Sequence, residues 1–428
     1  MFCQLELLRQ CFPPSVRHIL EELPDSLDET YERILREIRK PNRGHAHRLL
    51  QCLVVAIRPL RVEELAEVLA FDFNTGEVPK LNPDWRWEDQ EEAVMSACSS
   101  LVTIVKDGNS RVVQFSHFSV KEFLTADRLA EPIRDVTRYH IRLEAAHTIL
   151  AQACLGVLLR LDGSVDRDNI EDFPLARYAA QYWNAHARVE GVSSRIEDGM
   201  KCLFDKDRPH FATWLWIYNE DSQGRSISTK HPGTPGAGPL YYAAMLGFRD
   251  LAKHLIAKRP TDVNGKGGGK VTPVHVAVSA GHLDILSLLL DHGAHVDGRD
   301  RIGQTPLHRA SSNGKVEAGE CLLDRGADIN ARDNDCWTPL FHAAFQGHFE
   351  FTRMLIERGA VIDARDTLGT TPLHRVVQTD NVRVVRLLLE RGADVNVRSE
   401  SGKVPSELAW LPEIVELLSE YGTKSEDS

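Results

Sequence analysis

The chain lacks the features of several protein classes. Its eight cysteines include no CxxC pair, which argues against a disulfide framework and against a zinc site. No run reaches about 18 apolar residues, and the stretch Leu49–Ile57 is too short to cross a bilayer. The N-terminus has an acidic residue at position 6 and no signal-peptide layout. We therefore expect a cytoplasmic protein with reduced thiols and no membrane partner.

An excess of basic residues is also missing. The net charge is −11, and 29 basic against 36 acidic residues precede Pro235, which leaves 22 against 26 in the rest of the 428-residue chain. Because neither half is basic, an electrostatically driven nucleic-acid partner is not expected. The length predicts two or three domains.

Nucleotide-binding and catalytic motifs are absent from the sequence as well. No GxxxxGK[ST] occurs, and the nearest imitation, NGKGGGKVT, has Asn264 for the first glycine and Val271 for the final Ser or Thr. The side chains of His117 and Ser119 should diverge from one another, so a nucleophile and base are not predicted there. We expect no enzyme activity, no cofactor and no metal site.

What the chain has instead is a repeat of 33 residues. Threonine precedes proline at Thr272, Thr305, Thr338 and Thr371, and glycine precedes alanine at Gly293, Gly326, Gly359 and Gly392. A fixed period of this length indicates a stacked solenoid. Within one unit, Thr305 fits a helix N-cap, Pro306 the first helical position and Gly314 the left-handed residue that ends the helix. A second helix and an extended hairpin complete the unit, and several units must stack to bury their faces.

This pattern resembles the ankyrin repeat, whose motif centres on TPLH. The resemblance implies a mostly α fold that ends in an α-solenoid over residues 239–424, about five repeats followed by a truncated C-terminal cap, with residues 425–428 as a tail. Repeats begin at Pro239, Pro273, Pro306, Pro339 and Pro372, and the cap at Pro405. The resemblance also implies that His275, His308 and His374 form hydrogen bonds between neighbouring repeats. Three positions depart from it: Cys336 replaces a hairpin glycine, TPLFHAA moves a histidine to His342, and Asp380 replaces an inter-helix glycine.

The sequence of the first half predicts helices and one β-hairpin. Residues 1–40 form a helical remnant or connector, and three helices followed by a hairpin that turns at Asp107–Gly108 predict a winged-helix-like domain over residues 41–130. Residues 131–221 predict a helical domain whose aromatic stripes belong to its core. Residues 222–238, rich in Gly, Ser, Thr and Pro, predict a linker.

Several short blocks of this half resemble the region that follows the nucleotide-binding module in fungal-type NACHT–ankyrin proteins, which are STAND-class signalling NTPases similar in layout to NOD-like receptors. The blocks are LDETYERIL, RPLRVEELAEVL, CSSLVTIV and FSHFSVKEFL. The resemblance implies a regulatory connector and sensor half of such a protein, with an NTPase module in cis, upstream of Met1, or in trans. The alternative is a free-standing ankyrin adaptor with no NTPase involved.

Two features of the hairpins predict where a partner protein binds. Arg299, Arg332, Arg365 and Arg398 recur every 33 residues and would form a row of guanidinium groups suited to an acidic segment. Alternatively, each arginine is a tolerated surface residue paired with the aspartate that follows it. Trp337 at a hairpin and Phe345 at the end of an inner helix are candidate interface anchors, completed by Arg301, Ile302 and Leu368. Either aromatic residue could instead pack on the next repeat.

Overall fold

The structure, a computed structural model, describes residues 26–223 and 236–426 except 75, 77, 109, 132–135 and 167. The chain divides into two compact units, Met1–Pro235 and Gly236–Ser428. Both are mainly helical, as the sequence predicts. Within the described ranges, none of the helices is both long and apolar enough to traverse a lipid bilayer.

The N-terminal unit opens with an amphipathic helix, α1 (Leu27–Glu37). Ser26 caps it by accepting the N–H of Glu29 at 3.2 Å. The apolar residues that recur at three-to-four spacing, including Tyr31 and Leu35, are buried. The predicted segment before Ser26 lies outside the described residues.

A winged-helix domain follows and confirms the predicted three helices and hairpin. Its elements are α2 (Arg43–Val55), β1 (Leu60–Arg61), α3 (Val62–Leu69), β2 (Phe71–Asp72), β3 (Lys80–Leu81), α4 (Gln90–Cys98), β4 (Val102–Asp107), β5 (Ser110–Phe115) and α5 (Phe118–Thr125). Strand β5 lies between β4 and β1, with Val102 opposite Phe115 and Leu60 opposite Val113. Sequence analysis missed β1, β2 and β3 because two-residue strands carry no readable alternation.

The remaining helices of this unit form a layer around an aromatic core. They are α6 (Leu143–Leu158), α7 (Ala176–Ala187), α8 (Val192–Arg195), α9 (Glu197–Leu203) and α10 (His210–Gln223). Trp183, Phe204 and Trp214 are buried, and their ring centroids lie 5.4–6.0 Å apart. The aromatic stripes are therefore core, as predicted. Helix α10 continues to Gln223, two residues into the predicted linker, and the linker residues 224–235 lie outside the described ranges.

Buried polar groups join this helical layer to the winged-helix domain. Tyr178 on α7 accepts the N–H of Ile57 at 3.2 Å, and its hydroxyl lies 2.9 Å from Nε2 of His186. Nδ1 of His186 lies 2.8 Å from Nδ1 of His147 on α6. Glu64 on α3, whose side chain is fully buried, accepts two hydrogen bonds from Arg58 at 2.6 and 2.8 Å.

The second unit is a stack of helix pairs with the predicted 33-residue period. The pairs are α11 (Pro239–Leu246) with α12 (Arg249–Lys258), α13 (Pro273–Ala280) with α14 (Leu283–Asp291), α15 (Pro306–Ser312) with α16 (Val316–Asp324), α17 (Pro339–Phe345) with α18 (Phe349–Glu357), and α19 (Pro372–Val376) with α20 (Val382–Glu390). A short turn at Pro405–Glu407 and helix α21 (Pro412–Glu426) close the stack. Every inner helix begins at its predicted proline.

The repeat histidines connect neighbouring repeats, as the resemblance implies. Nδ1 of each accepts the N–H of its own repeat's threonine, and Nε2 donates to a backbone carbonyl 29 residues on: His275 to Gln304, His308 to Trp337 and His374 to Lys403. Burial lowers the pKa of these histidines, so they stay neutral donors. The fifth repeat, where Asp380 replaces glycine, has a first helix of only five residues.

Candidate protein-interaction surface

An aspartate shapes the hairpins of the third, fourth and fifth repeats. In the fourth, one oxygen of Asp333 accepts the N–H groups of Asp335 at 3.0 Å and Trp337 at 2.9 Å. The other oxygen pairs with the inner helix, and the pairs are Asp300–Arg309 (2.8 Å), Asp333–His342 (2.9 Å) and Asp366–Arg375 (3.0 Å). Burial opposes the ionisation of Asp333, but the hydrogen bonds outweigh it and lower the pKa of that carboxyl.

The tip of each hairpin needs a left-handed residue. Gly303, Gly369 and Gly402 have φ values of 79°, 67° and 79° at this position. Lys270 in the second repeat and Cys336 in the fourth occupy it with φ of 60° and 62°, a conformation that costs a residue with a Cβ about 1–2 kcal/mol. The backbone is therefore strained at Cys336, which replaces the hairpin glycine.

The arginine row exists, and each of its members is exposed. Each guanidinium donates to a backbone carbonyl at the hairpin tips. Arg299 donates to Gly303 at 3.2 Å and to Arg332 at 2.6 Å, and Arg365 donates to Arg398 at 3.3 Å. Arg332 donates to the carbonyl of Arg365, and Arg398 to that of Gly402 at 2.8 Å. The row is thus a ladder that passes from repeat to repeat.

The ladder tests the alternative prediction, in which each arginine pairs with the aspartate that follows it. That pairing is wrong for the described hairpins, because the carboxylates of Asp300, Asp333 and Asp366 face the inner helices and are only 6–8% exposed. At the surface the hairpins therefore present guanidinium groups together with the exposed carboxylates of Asp335 and Glu400, while Asp300, Asp333 and Asp366 are buried.

The two candidate anchors belong to one aromatic cluster in the fourth repeat. Trp337 stacks on buried Phe341 with centroids 4.6 Å apart and meets Phe345 edge-on at 5.6 Å. The guanidinium of Arg375, from the fifth repeat, lies 5.7 Å from the Trp337 ring. Trp337 is half-buried, whereas Phe345 remains 38% exposed. Both readings of Trp337 therefore apply in part, since it packs on neighbours and keeps an exposed edge.

The remaining candidates lie at the hairpin tips. Ile302 and Leu368 occupy the same position in the third and fifth repeats and are 52% and 55% exposed. Arg301 is exposed, and its carbonyl accepts the side-chain amide of Asn334 at 3.2 Å. The fourth-repeat hairpin, which carries Trp337, lies between these two apolar tips.

Sequence analysis missed the role of two residues beside these anchors. In register with the other repeats, Phe341 occupies the slot of the TPLH histidine, and His342 occupies the slot of Arg309 and Arg375. His342 is therefore a substitute hydrogen-bond partner for Asp333, with Nε2 at 2.9 Å from the carboxylate, and not a displaced TPLH histidine. Alignment of the repeats by their 33-residue period would have found this.

His308, Asp333 and His342 lie close enough to suggest a metal site. Nδ1 of His308 accepts the N–H of Thr305 at 3.1 Å, which leaves the proton on Nε2, where it is donated to the Trp337 carbonyl at 3.0 Å. Burial lowers the pKa of His308 to about 4, which keeps this neutral form in place. With both nitrogens of His308 engaged, the cluster is explained as a hydrogen-bond network.

His117 and Ser119 form the pair that resembles catalytic machinery. The expectation that their side chains diverge is wrong: Nδ1 of His117 lies 2.6 Å from Oγ of Ser119. The same nitrogen accepts the N–H of Ser119 at 3.3 Å and so caps α5, while Oγ of Ser119 lies 2.7 Å from the Tyr31 hydroxyl. In the described part of the chain, the side-chain hydrogen bonds of His117 run to Ser119 only, without a carboxylate to orient the ring. The group ties α1 to the start of α5.

Comparisons with known proteins agree with this division of the chain. The profile of ankyrin repeats (3 copies) matches residues 240–333 and 330–399. The profile of the GPI inositol-deacylase winged helix domain matches residues 31–133. Both confirm the predicted fold: a winged-helix domain in the N-terminal half and ankyrin repeats in the C-terminal half. Ankyrin repeats are a non-catalytic binding module and indicate protein–protein interaction.

Among individual relatives, the chain is 33% identical over 298 residues to the azaphilone pigments biosynthesis cluster protein L of Monascus ruber. That alignment covers 65% of this chain and 61% of the relative, so the chain spans about three fifths of its length. Shorter matches are to alpha-latrocrustotoxin-Lt1a of Latrodectus tredecimguttatus (38% over 64 residues, 15% of this chain and 4% of that protein) and to human BCL-6 corepressor-like protein 1 (41% over 58 residues, 14% and 3%).

Proposed function

We propose that this protein is a non-catalytic interaction and regulatory module that binds a partner protein through the candidate surface. That surface consists of Arg299, Arg301, Ile302, Arg332, Trp337, Phe345, Arg365, Leu368 and Arg398. The supporting observation is that the fourth repeat departs from its neighbours at several positions that lie together. We further propose the cytoplasm as its location, since six cysteines of the described chain are unpaired thiols.

These departures weaken the stack. Cys336 holds a left-handed backbone, and Phe341 lacks the N–H with which a histidine would bridge to the next repeat. Phe345 exposes an aromatic ring where the other repeats carry Ser279, Ser312 and Gln378. Changes that reduce stability and expose apolar surface in one place are typical of a binding site.

For the N-terminal unit we propose a connector role, as in NACHT–ankyrin signalling proteins, with an NTPase module in cis or in trans. The match of residues 31–133 to a winged-helix profile and the ankyrin repeats that follow it support this order of domains. The second candidate is a free-standing ankyrin adaptor, which requires only the ankyrin repeats matched at residues 240–399. Reading the native gene upstream of Met1 separates them: an in-frame strand, P-loop and helix supports the connector, and an in-frame stop supports the adaptor.

The binding surface is tested with the full chain as bait in an extract of its own organism. The variant combines Phe345→Ala with Leu368→Ala, two side chains that are 38% and 55% exposed. The control combines Leu283→Ala with Val361→Ala, which are 39% and 52% exposed and lie outside the surface. Each anchor lost from a buried interface costs about 1–2 kcal/mol, so we expect at least about tenfold less partner on the variant.

Thermal unfolding of both double variants should match the unaltered chain within a few degrees, because exposed substitutions change stability by about ±0.5 kcal/mol. Partner recovery that falls equally in variant and control would show a folding effect. Undiminished recovery on the Phe345 and Leu368 variant would place the partner elsewhere. Trp337 is unsuitable for this test because its ring contacts make it structural as well as exposed.

A further inference from the structure

The arginine ladder fixes cations at a regular spacing. Each guanidinium is held by a carbonyl of its own or the next hairpin, so ordering it on a ligand costs little additional entropy. In the described contacts, the hydrogen bonds of each of the four exposed arginines use one terminal nitrogen, which leaves the second terminal nitrogen to bind a ligand. The neighbouring carboxylates of Asp300, Asp333 and Asp366 are buried and paired with other groups. Asp335 and Glu400 are exposed on the hairpins of Arg332 and Arg398, so the row offers four cations to a ligand beside two carboxylates.

The spacing of that row selects the ligand conformation. Successive arginines are one repeat apart, which is about 10 Å for packed helices. A polyproline-II segment has three residues per turn and rises about 3.1 Å per residue, so every third side chain returns to the same face after about 9 Å. In a β-strand, residues three apart point to opposite faces. An extended ligand can therefore follow the whole row only in the polyproline-II form.

The aromatic cluster adjoins one of these hairpins, with Trp337 on the hairpin and Phe345 at the end of the inner helix that follows it. The N–H of Asp333, which follows Arg332, donates to the carbonyl of Trp337 at 3.0 Å, so arginine and tryptophan stand at facing ends of one hairpin. Exposed aromatic side chains are the surface on which proline-rich polyproline-II segments dock. Phe345 and the exposed edge of Trp337 supply it beside the cations.

We propose that the ankyrin array binds an acidic polyproline-II segment of its partner, with Asp or Glu at every third position over Arg299, Arg332, Arg365 and Arg398. Apolar residues or prolines between them pack on Trp337 and Phe345. This inference rests on the proposed function and specifies the chemistry of the partner. A free-standing acidic helix, with acidic residues seven apart, is the competing ligand in the test below.

The test measures fluorescence anisotropy of labelled peptides with the full chain. The probe peptide contains four Glu-Pro-Pro triplets. One comparison peptide has the same composition with its glutamates grouped at one end, and another is an alanine-based helix with glutamate at every seventh position. We expect the triplet peptide to bind at least about tenfold more tightly than either, and its affinity to fall as salt screens the arginines. Equal or tighter binding of the grouped or the helical peptide would overturn the proposal.

The contribution of the ladder is tested with Arg332→Gln combined with Arg365→Gln. The control, Arg353→Gln with Arg358→Gln, removes the same charge from arginines that pair with Glu350 and Asp324 instead. We expect about tenfold weaker triplet binding in the variant and unchanged binding in the control. In case the variant is unstable, hydrogen exchange of the unaltered chain provides a second readout: the peptide must protect the amides of the hairpin 332–337.

The two proposals fail separately. Suppose that the triplet peptide binds no more tightly than the grouped or helical peptide, but partner capture still depends on Phe345 and Leu368. The proposed polyproline-II ligand is then wrong, while the proposed binding surface is supported. If the triplet peptide binds while partner capture ignores those residues, the surface recognises acidic segments but is not where that partner docks. Unchanged exchange at 332–337 together with peptide binding would contradict the assignment to the ladder.

Discussion

The two units of this chain maintain their folds through contacts of different range. In the N-terminal unit, the hydrogen bonds that connect separate elements join residues far apart in sequence. Tyr31 and Ser119 are 88 residues apart, Glu67 and Leu175 are 108, and Ile57 and Tyr178 are 121. In the repeat array the corresponding separations are 29 for His275 and Gln304 and 33 for Arg299 and Arg332. The first unit depends on unique pairs, whereas the array repeats one short-range set.

This difference predicts how each unit responds to a single substitution. In a repeat array, stability is roughly a sum over repeats and their interfaces, so one weakened interface leaves the others intact. A unit built from unique long-range pairs has no second copy of any of them. The fourth repeat can therefore accept several departures from the repeat pattern, while the N-terminal unit should be sensitive to the loss of one buried pair.

The largest expected effect is the loss of Glu64. Glu64→Ala removes a fully buried carboxylate that Arg58 and the N–H of Arg61 share at 2.6–2.8 Å. Breaking such a pair leaves a partly buried guanidinium without its partner and costs about 3–5 kcal/mol of unfolding free energy. Native-state hydrogen exchange should show this loss in the N-terminal unit and not in the array.

The half-exposed neighbour Glu63 provides the control, because Glu63→Ala should change stability by no more than about 0.5 kcal/mol. Equal destabilisation of both units by Glu64→Ala would mean that they unfold as one, which would remove the contrast.

Acid should lower the unfolding free energy of both units, by less per pH unit than the loss of Glu64 does. Burial, reinforced by His147, lowers the pKa of His186 to about 3, and burial lowers that of His308 to about 4. Since the unfolded value is about 6.5, the unfolded chain binds more protons than the folded chain below that pH. The stabilisation is present above pH 6.5 and is lost as the pH falls toward those values, by at most about 1.4 kcal/mol per pH unit for each histidine.

His186→Gln separates the two contributions. A glutamine amide can still accept from Tyr178 and cannot titrate, so acid unfolding of the N-terminal unit should become shallower while that of the array is unchanged. Chemical denaturation followed by hydrogen exchange between pH 7 and about pH 5 measures both slopes. An unaltered slope in the N-terminal unit would show that His186 is not the responsible group.

The smallest effect should have the opposite sign. Cys336→Gly relieves the left-handed strain at φ of 62° and should stabilise the array by about 0.5–1 kcal/mol, after allowance for the greater freedom of glycine in the unfolded chain. The reciprocal change, Gly402→Ala, should destabilise the cap, because φ there is 79° although an added Cβ meets nothing within 4 Å. Thermal unfolding of both variants checks the signs. A destabilising Cys336→Gly would mean that contacts of the thiol outweigh the backbone strain.

The accuracy of prediction from sequence follows the same division. The starts of the last four inner helices and their threonine caps were predictable because each recurs at 33 residues, so each repeat tests the next. The start at Pro239 and the histidine bridges followed from the resemblance to ankyrin repeats. The winged-helix order was predictable from amphipathic spacing and the turn at Gly108. Strand β1 was not, since only its pairing with β5 defines it.

At the candidate surface, the sequence indicated which side chains stand in a row, and the structure decided what they contact. The arginines donate to carbonyls of the hairpins and not to the adjacent aspartates, because those aspartates turn inward to cap the hairpin and pair with the inner helix. Neighbours in sequence are poor guides to partners in a hairpin, where adjacent side chains leave the backbone in different directions.

The sequence by itself determined the repeat, its period and the residue types at each slot, because helix caps, left-handed turns and apolar faces are local requirements. Only the tertiary structure decided the pairings: Glu64 with Arg58, Tyr178 with Ile57, His342 with Asp333 and the arginine ladder from hairpin to hairpin. Each of these depends on burial and distance between separate elements. Those quantities exist only once the helices and hairpins have packed.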